Sequence, residues 1–400
     1  MENSANSKII FCKKCVESNQ RYIGSVPFSD TATSKKQLTS FDDDLCGACK
    51  YFEYKKTIDW KSRENELIKI LDKYRKNDGD YDVIIPGSGG KDSIFLSHIL
   101  KYKYNMNPLT VTWAPHIYTD IGLHNFRAWQ NMGFDNELHT PNPKIHKKLT
   151  YLAFKNLLHP FQPFVLGQHN LAPRLAIEKN IKLIVYGDAY FEKGVGGNIY
   201  SISGIKNGAL FSTDNEDLYF GGVHISELKN HGISYNDIKP YLPLKKKEVE
   251  NKDLTVLDLP YYINYNPQDN FYFASENSDF KVNPYRSEGT YTKYSSIDDK
   301  LDNLHFYTWF IKTGRGRATE DAALEVRNNI ITRQEAIALI KKYDGEFPKK
   351  YFKDILDYLQ IEEKEFYEII NKFRPKHIWK KENNKWILRS AVWMNDREVK

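Results

Sequence analysis

Two groups of residues in this chain have the types and spacing to do chemistry. The first is the run Ser88-Gly89-Gly90-Lys91-Asp92-Ser93. Gly89 and Gly90 carry no Cβ, so their backbone N–H groups can come close to an anion. A helix opening here adds free N–H groups and a dipole that attracts negative charge. Ser88 and Ser93 add hydroxyl donors, and Lys91 adds a point charge. Asp92 suits a helix start and could help hold Mg²⁺. The chemistry this favours is the gripping of phosphate. The run is not a Walker A loop: its first glycine would fall at position 85, where Ile85 stands, and Asp92 replaces the Ser or Thr after the lysine. A glycine-rich turn that binds nothing is the plain alternative, disfavoured when a strand precedes the run and a helix follows it.

The second group is Cys12-x-x-Cys15 and Cys46-x-x-Cys49, two knuckles separated by 30 residues. Four thiolates paired in this way form the donor set of a tetrahedral structural zinc. A redox pair or unliganded thiols are the alternatives. A metal would staple a segment with too little core to fold alone. These are the only cysteines of the 400 residues. If they bind zinc, none remains as a glutaminase nucleophile or a persulfide carrier.

Both groups need a frame. Trp60, Leu67, Leu71 and Tyr74 recur at helical spacing, so 60–74 reads as a helix. Tyr81–Ile85 is a short apolar run broken by Pro86-Gly87, and a helix follows from Asp92 with Ile94, Phe95, Ile99 and Leu100 on its buried side. Pro108–Trp113 is a second strand; Leu123 to Met132 is a helix stopped by Gly133; Ala172–Glu178 is helical and leads into a strand at Ile181–Tyr186. Strands alternating with such helices predict a parallel sheet covered on both faces, with ligands at the carboxyl ends of its strands. Gly87 and Gly187-Asp188 both follow strands. Residues 194–300 read as loops and irregular excursions. Thr332 to Glu335 is a capping box opening a helix through Ile340, two more helices follow at Tyr351–Leu359 and Glu362–Phe373, and the last residues read as a covering tail. The organisation expected is 1–57 as a zinc module, 58–300 as the sheet domain and 301–400 as a helical C-terminal region.

The charge excess is thin, 58 basic against 52 acidic residues, and its clusters, such as Lys245-Lys246-Lys247, are short. That argues against nucleic acid as the main partner, which usually meets a concentrated basic face. Residues Met1 to Ile10 lack the roughly 7–15-residue apolar segment of a signal peptide, and no stretch reaches the roughly 18 apolar residues that span a bilayer. The expectation is a cytoplasmic protein without membrane contact.

The hexapeptide at 88–93 resembles the SGGxDS signature of the PP-loop ATP pyrophosphatases. That resemblance implies an α/β fold with a sheet of the adenine nucleotide α-hydrolase type, and cleavage of ATP between its α and β phosphates. It also implies that Ile84 to Gly87 and Thr112-Trp113 flank the adenosine. Two later segments, Arg286 to Lys300 and Gly316 to Arg327 with Tyr343-Asp344-Gly345, join the knuckles and the loop in a narrower likeness. Together they look like the bacterial N-acetyl sugar amidotransferases of lipopolysaccharide O-antigen and flagellin-glycan pathways, over about Phe11 to Phe373. This implies ATP, Mg²⁺ and Zn²⁺ as cofactors, an N-acetylated sugar as substrate, and ammonia from a separate glutaminase subunit, with or without a barrel subunit like those of histidine biosynthesis.

Lys91 and Asp92 are the catalytic candidates of the loop. Lys293 contacts pyrophosphate or makes an ordinary surface ion pair, and the same alternatives hold for Asp188 and Mg²⁺. Arg315 and Arg317, just before a helix, clamp phosphate or a sugar carboxylate, or belong to a solvated basic loop. Glu320 and Asp321 hold no assigned role beyond complementing the helix dipole. The rival readings are a PP-loop tRNA-modifying enzyme of lysidine-forming or thiolating kind, and a non-catalytic ATP- or zinc-dependent scaffold.

Overall fold

The computed structural model describes residues 8–21, 27–31, 33, 38–39, 41–187, 203–205 and 208–395. Five strands, β1 (Val83–Pro86), β2 (Pro108–Trp113), β3 (Asp135–His139), β4 (Leu183–Tyr186) and β5 (Thr255–Asp258), form one parallel sheet in the order β3-β2-β1-β4-β5. Ile85 stands opposite Thr110, and Ile84 opposite Ile184. Alternate side chains leave the strands on opposite faces. Ile84, Leu109, Val111, Trp113 and Ile184 enter one core, while Val83, Ile85, Leu183 and Val185 enter the other. Burial on both faces is why these strands read as near-continuous apolar runs.

Helices α1 (Gly47–Lys55), α2 (Trp60–Tyr74), α3 (Lys91–His98), α4 (Asp120–Asn131), α5 (Pro143–Leu157) and α6 (Gln162–Glu178) precede or connect the first four strands. After β5 come α7 (Pro267–Asn277), α8 (Asp302–Thr313), α9 (Arg317–Arg327), α10 (Arg333–Tyr343), α11 (Phe352–Leu359) and α12 (Glu363–Lys372). Leu67, Leu71 and Leu96 of α2 and α3 cover one face of the sheet. Leu149 and Leu152 of α5 and Leu166 and Ala172 of α6 cover the other. Leu304, Ile311, Ile355 and Phe366 of α8, α11 and α12 join that second core, so the helical C-terminal part is continuous with the sheet domain. The four cysteines share a separate cluster with Ala322, Ala323, Ala336 and Ile340 of α9 and α10. The architecture is α/β, as expected: a five-stranded parallel sheet covered on both faces by helices, with an N-terminal four-cysteine module and a helical C-terminal part.

The described part of 194–300 corrects the irregular reading, since it holds β5, α7 and a hairpin at Tyr219–Phe220 and Val223–His224. Strand β5 offers only Thr-Val-Leu-Asp, too short for a period. Strand β3, Asp-Asn-Glu-Leu-His, sits at the sheet edge and has no apolar signature. Helix α6 begins at Gln162 and runs through Pro173, a residue that ordinarily breaks a helix. The tail pairs Trp379–Glu382 with Lys385–Leu388 as a hairpin. The capping box at Thr332 and Glu335 forms as read. None of the described helices is long and apolar enough to cross a membrane.

Candidate phosphate-binding site and cysteine cluster

The run 88–93 lies between the end of β1 and the first turn of α3. Gly90 occupies the N-cap and supplies no side-chain cap, so the first-turn N–H groups of α3 are left to a ligand or water. The loop is braced from behind. Gly87 N donates to Val111 O at 3.0 Å, and Ser88 N donates to Ser93 Oγ at 3.1 Å. Gly89 has φ +84, and a Cβ there would meet the backbone of Phe126 at 2.6 Å. Only glycine meets both conditions.

Lys91 Nζ donates to Asp92 Oδ2 at 2.6 Å. Asp92 Oδ1 accepts from Tyr265 Oη at 2.5 Å and from Asn270 Nδ2 at 2.8 Å. Burial opposes charge on this carboxyl, but Lys91, Tyr265 and Asn270 together hold it below the usual carboxylate range. Asp92 is thereby fixed as an anion that aims Lys91. Ser88 Oγ donates to Asp298 Oδ2 at 2.9 Å, 210 residues along the chain. Burial pushes the Asp298 carboxyl up to about 6, despite the pull of Ser88, and Asp299 and Asp92 add repulsion. Two carboxylates so close to a phosphate loop are the groups that could take Mg²⁺ here; at Asp92 the ion would compete with Lys91.

The remaining candidates fall into three sets. The side chains of Ile84 and Thr112 are fully buried in the sheet, and Thr112 Oγ1 accepts from Asn136 Nδ2 at 3.1 Å. Trp113 stacks on His139, with ring centroids 4.6 Å apart. These three could meet a nucleotide through backbone atoms, not through side chains. Gly187 ends β4 next to Leu96, and Asp188 lies outside the described residues. Arg317 pairs with Asp321 at 3.0 Å and lies over the Phe306 ring, near Asp302. Arg315 is instead buried against Glu17 at 2.7 Å and Glu320 at 3.8 Å, where it ties α9 to the cysteine module. Lys293 is exposed, and its carbonyl accepts from Asn283 N at 3.0 Å.

Sequence reasoning passed over Tyr265, Asn270, Asp298 and Asp299 as site residues. Asp298 and Asp299 stood inside the quoted 286–300 segment, but nothing local marks a side chain that folds back over some 210 residues.

The four cysteines form the other constellation. Their Sγ atoms all lie within 4.8 Å of one another, with Cys12–Cys49 at 3.7 Å and Cys15–Cys46 at 3.6 Å. A tetrahedron of sulfurs at the Zn–S bond length has edges of roughly 3.8 Å, so the donor set fits zinc. Backbone N–H groups point at the sulfurs: Cys46 N to Cys12 Sγ at 3.5 Å, Cys49 N to Cys46 Sγ at 3.4 Å, and Glu17 N to Cys15 Sγ at 3.5 Å. Arg327 Nη1 donates to Cys15 Sγ at 3.7 Å from α9. Such donors offset the negative charge of a thiolate cluster.

Residues 288–392 match the family model of the "LPS biosynthesis protein WbpG-like, C-terminal domain". No curated protein matches the chain. Among solved structures, similar chains include a predicted subunit of tRNA methyltransferase from Methanocaldococcus jannaschii, 15% identical, with TM-score 0.26 over 55% of this chain and 83% of that one. Another is the U34-tRNA thiolase NcsA from Methanococcus maripaludis with its iron–sulfur cluster, 12% identical, with TM-score 0.31 over 78% of this chain and 89% of that one. The matched segment carries Asp298, which accepts from Ser88 of the glycine loop, and the Arg317–Asp321 pair. Over residues 288–392, then, the chain is similar to the C-terminal domain of WbpG-like lipopolysaccharide biosynthesis proteins.

Proposed function

We propose that the chain is an ATP-dependent amidotransferase that turns the N-acetyl group of a sugar into an acetamidino group during surface-glycan synthesis. The carbonyl oxygen of the acetamido group attacks the α-phosphorus of ATP, and pyrophosphate leaves. Ammonia then adds to the carbon of the adenylylated imidate, and AMP departs with the former carbonyl oxygen. An amide oxygen is a poor leaving group, and adenylylation makes it a good one. The α3 N-terminus, Gly89, Gly90 and Lys91 stabilise charge on the phosphates, Asp92 aims Lys91, and bound Mg²⁺ would add further charge neutralisation. Ammonia comes from a separate glutaminase subunit, since the four cysteines are gathered in one cluster.

The observation that carries this reading is the Ser88–Asp298 hydrogen bond, which joins an uncapped phosphate loop to a segment matched to a glycan-biosynthesis family. The test is incubation with ATP, Mg²⁺, ammonium and a panel of N-acetylated sugars, without glutaminase. The expected result is sugar-dependent pyrophosphate release and a product about one mass unit lighter, both lost in Asp92→Ala. Release of phosphate and ADP, or no dependence on any N-acetyl sugar, would count against it.

A further inference from the structure

The four-cysteine module reaches the phosphate loop through α1. Cys46 is the N-cap of that helix and Cys49 lies in its first turn, so two of the four sulfurs are fixed to one nine-residue element. Lys55 is its last residue and is buried, 7% exposed. Lysine is almost never buried unless its ammonium is partnered. Here Nζ donates to the backbone carbonyl of Tyr265 at 2.5 Å, 210 residues along the chain. Tyr265 is buried too, and its Oη donates to Asp92 Oδ1. Asp92 Oδ2 in turn accepts from Lys91. One helix and three hydrogen bonds therefore lead from a pair of cysteines to the lysine of the loop.

The same contact governs the start of α7. Asn266, next to Tyr265, is the N-cap of α7, and its side chain accepts from Gln268 N at 3.1 Å. Helix α7 supplies Asn270, the other donor to Asp92 Oδ1, at 2.8 Å. It also sets Phe273 edge-on to Phe95 of α3, with ring centroids 5.3 Å apart. Both donors to Oδ1 thus stand on backbone that Lys55 holds, and Oδ2 is left to Lys91. The cysteine end of α1 is tied down as well: Arg327, which donates to Cys15 Sγ, lies over the Phe52 ring of α1 at 5.5 Å. A metal on the four sulfurs would fix that end, and a helix of roughly 13 Å carries the constraint to Lys55.

We infer that Lys55 is a positioning residue for ATP: α1, anchored at its cysteine end, presents the Lys55 ammonium to Tyr265, and Tyr265 holds Asp92 so that Asp92 aims Lys91. The inference rests on the loop gripping ATP and not on the sugar chemistry. The cysteine module thereby sets the affinity of the loop as well as stapling the N-terminal segment.

The test is calorimetric titration of the full chain with ATP and Mg²⁺, without sugar, alongside elemental analysis. Lys55→Met and Tyr265→Phe should each raise Kd for ATP about three- to tenfold while metal content stays at the wild-type level. Lys55→Arg, which can donate to the same carbonyl, should restore most of the affinity. The double variant Lys55→Met with Tyr265→Phe should bind about as weakly as the weaker single one, because both act on one path. Lys56→Met, at the exposed neighbouring position, is the control and should bind as the wild type does. A merely structural role for Lys55 would reduce the fraction of protein that binds and leave Kd unchanged, which overturns the inference. Multiplied effects in the double variant, or an equal loss in Lys56→Met, overturn it too. Stripping the metal with a chelator should raise Kd in the wild type and add little in Lys55→Met; if the stripped protein unfolds, the Lys55 variants decide. A wild type that binds no ATP overturns the phosphate-loop reading and this inference with it.

Discussion

Substitution of Gly89 by Ala attacks the phosphate loop at its tightest point. Two costs add. A side chain at φ +84 pays roughly 1–2 kcal/mol for the left-handed conformation. Its Cβ would also stand 2.6 Å from Phe126 Cα and 2.8 Å from both Asn125 O and Phe126 N. These are backbone atoms of α4 and cannot swing aside, so overpacking adds about 1–3 kcal/mol. The total is about 2–5 kcal/mol. If the loop holds its place, that sum appears as lost stability in urea unfolding. If the loop moves to escape, it appears as weakened grip on phosphate, about 30-fold to a few thousand-fold in kcat/KM for ATP. Gly79→Ala is the control: φ is +92, but nothing lies within 4 Å of its Cβ, so only the conformational cost applies and ATP use is untouched. Pyrophosphate release and urea midpoints of both variants decide the matter. Equal behaviour of the two would refute the close-approach argument.

Three further outcomes follow from the same geometry. Purified protein should carry one zinc per chain by elemental analysis, and Cys12→Ser should lower that content and loosen α9 and α10, which pack on the cluster; full stability after metal removal would contradict a stapling role. Arg315→Met should cost about 3–5 kcal/mol by leaving Glu17 buried and unpaired, and adding Glu17→Gln should recover much of it; an additive double mutant would show that the pair does not couple. Burial pushes Asp344 up to about 6, against the downward pull of hydrogen bonds from Thr319 and Gly316. A raised carboxyl favours the fold in its protonated form, so its contribution is complete below about pH 4 and is lost as pH rises through about 6, up to roughly 3 kcal/mol. The stability of Asp344→Asn relative to wild type should therefore climb between those values and then level off; a flat difference would refute the assignment.

The legible parts of this protein were those whose signals are local. The loop 88–93, with a strand before and a helix after, and the two cysteine knuckles could be read from neighbouring residues alone. So could the capping box at Thr332. Strand β5 escaped because four residues carry no period, and strand β3 because a polar edge strand resembles a loop. Tyr265 and Asn270, which fix Asp92, and Asp298, which takes Ser88, reach the loop only through tertiary folding. Arg315 looked like a phosphate clamp by type and position; its pairing with Glu17, 298 residues away, is invisible to any local pattern.

The reaction is defined by which atom attacks which phosphorus. An N-acetyl sugar carrying heavy oxygen in its acetyl carbonyl, incubated with enzyme, ATP, Mg²⁺ and ammonium, answers that by mass spectrometry of the nucleotide. The label should arrive in AMP and disappear from the sugar. Label that stays in the sugar, or reaches water or pyrophosphate, would contradict attack by the amide oxygen at the α-phosphorus.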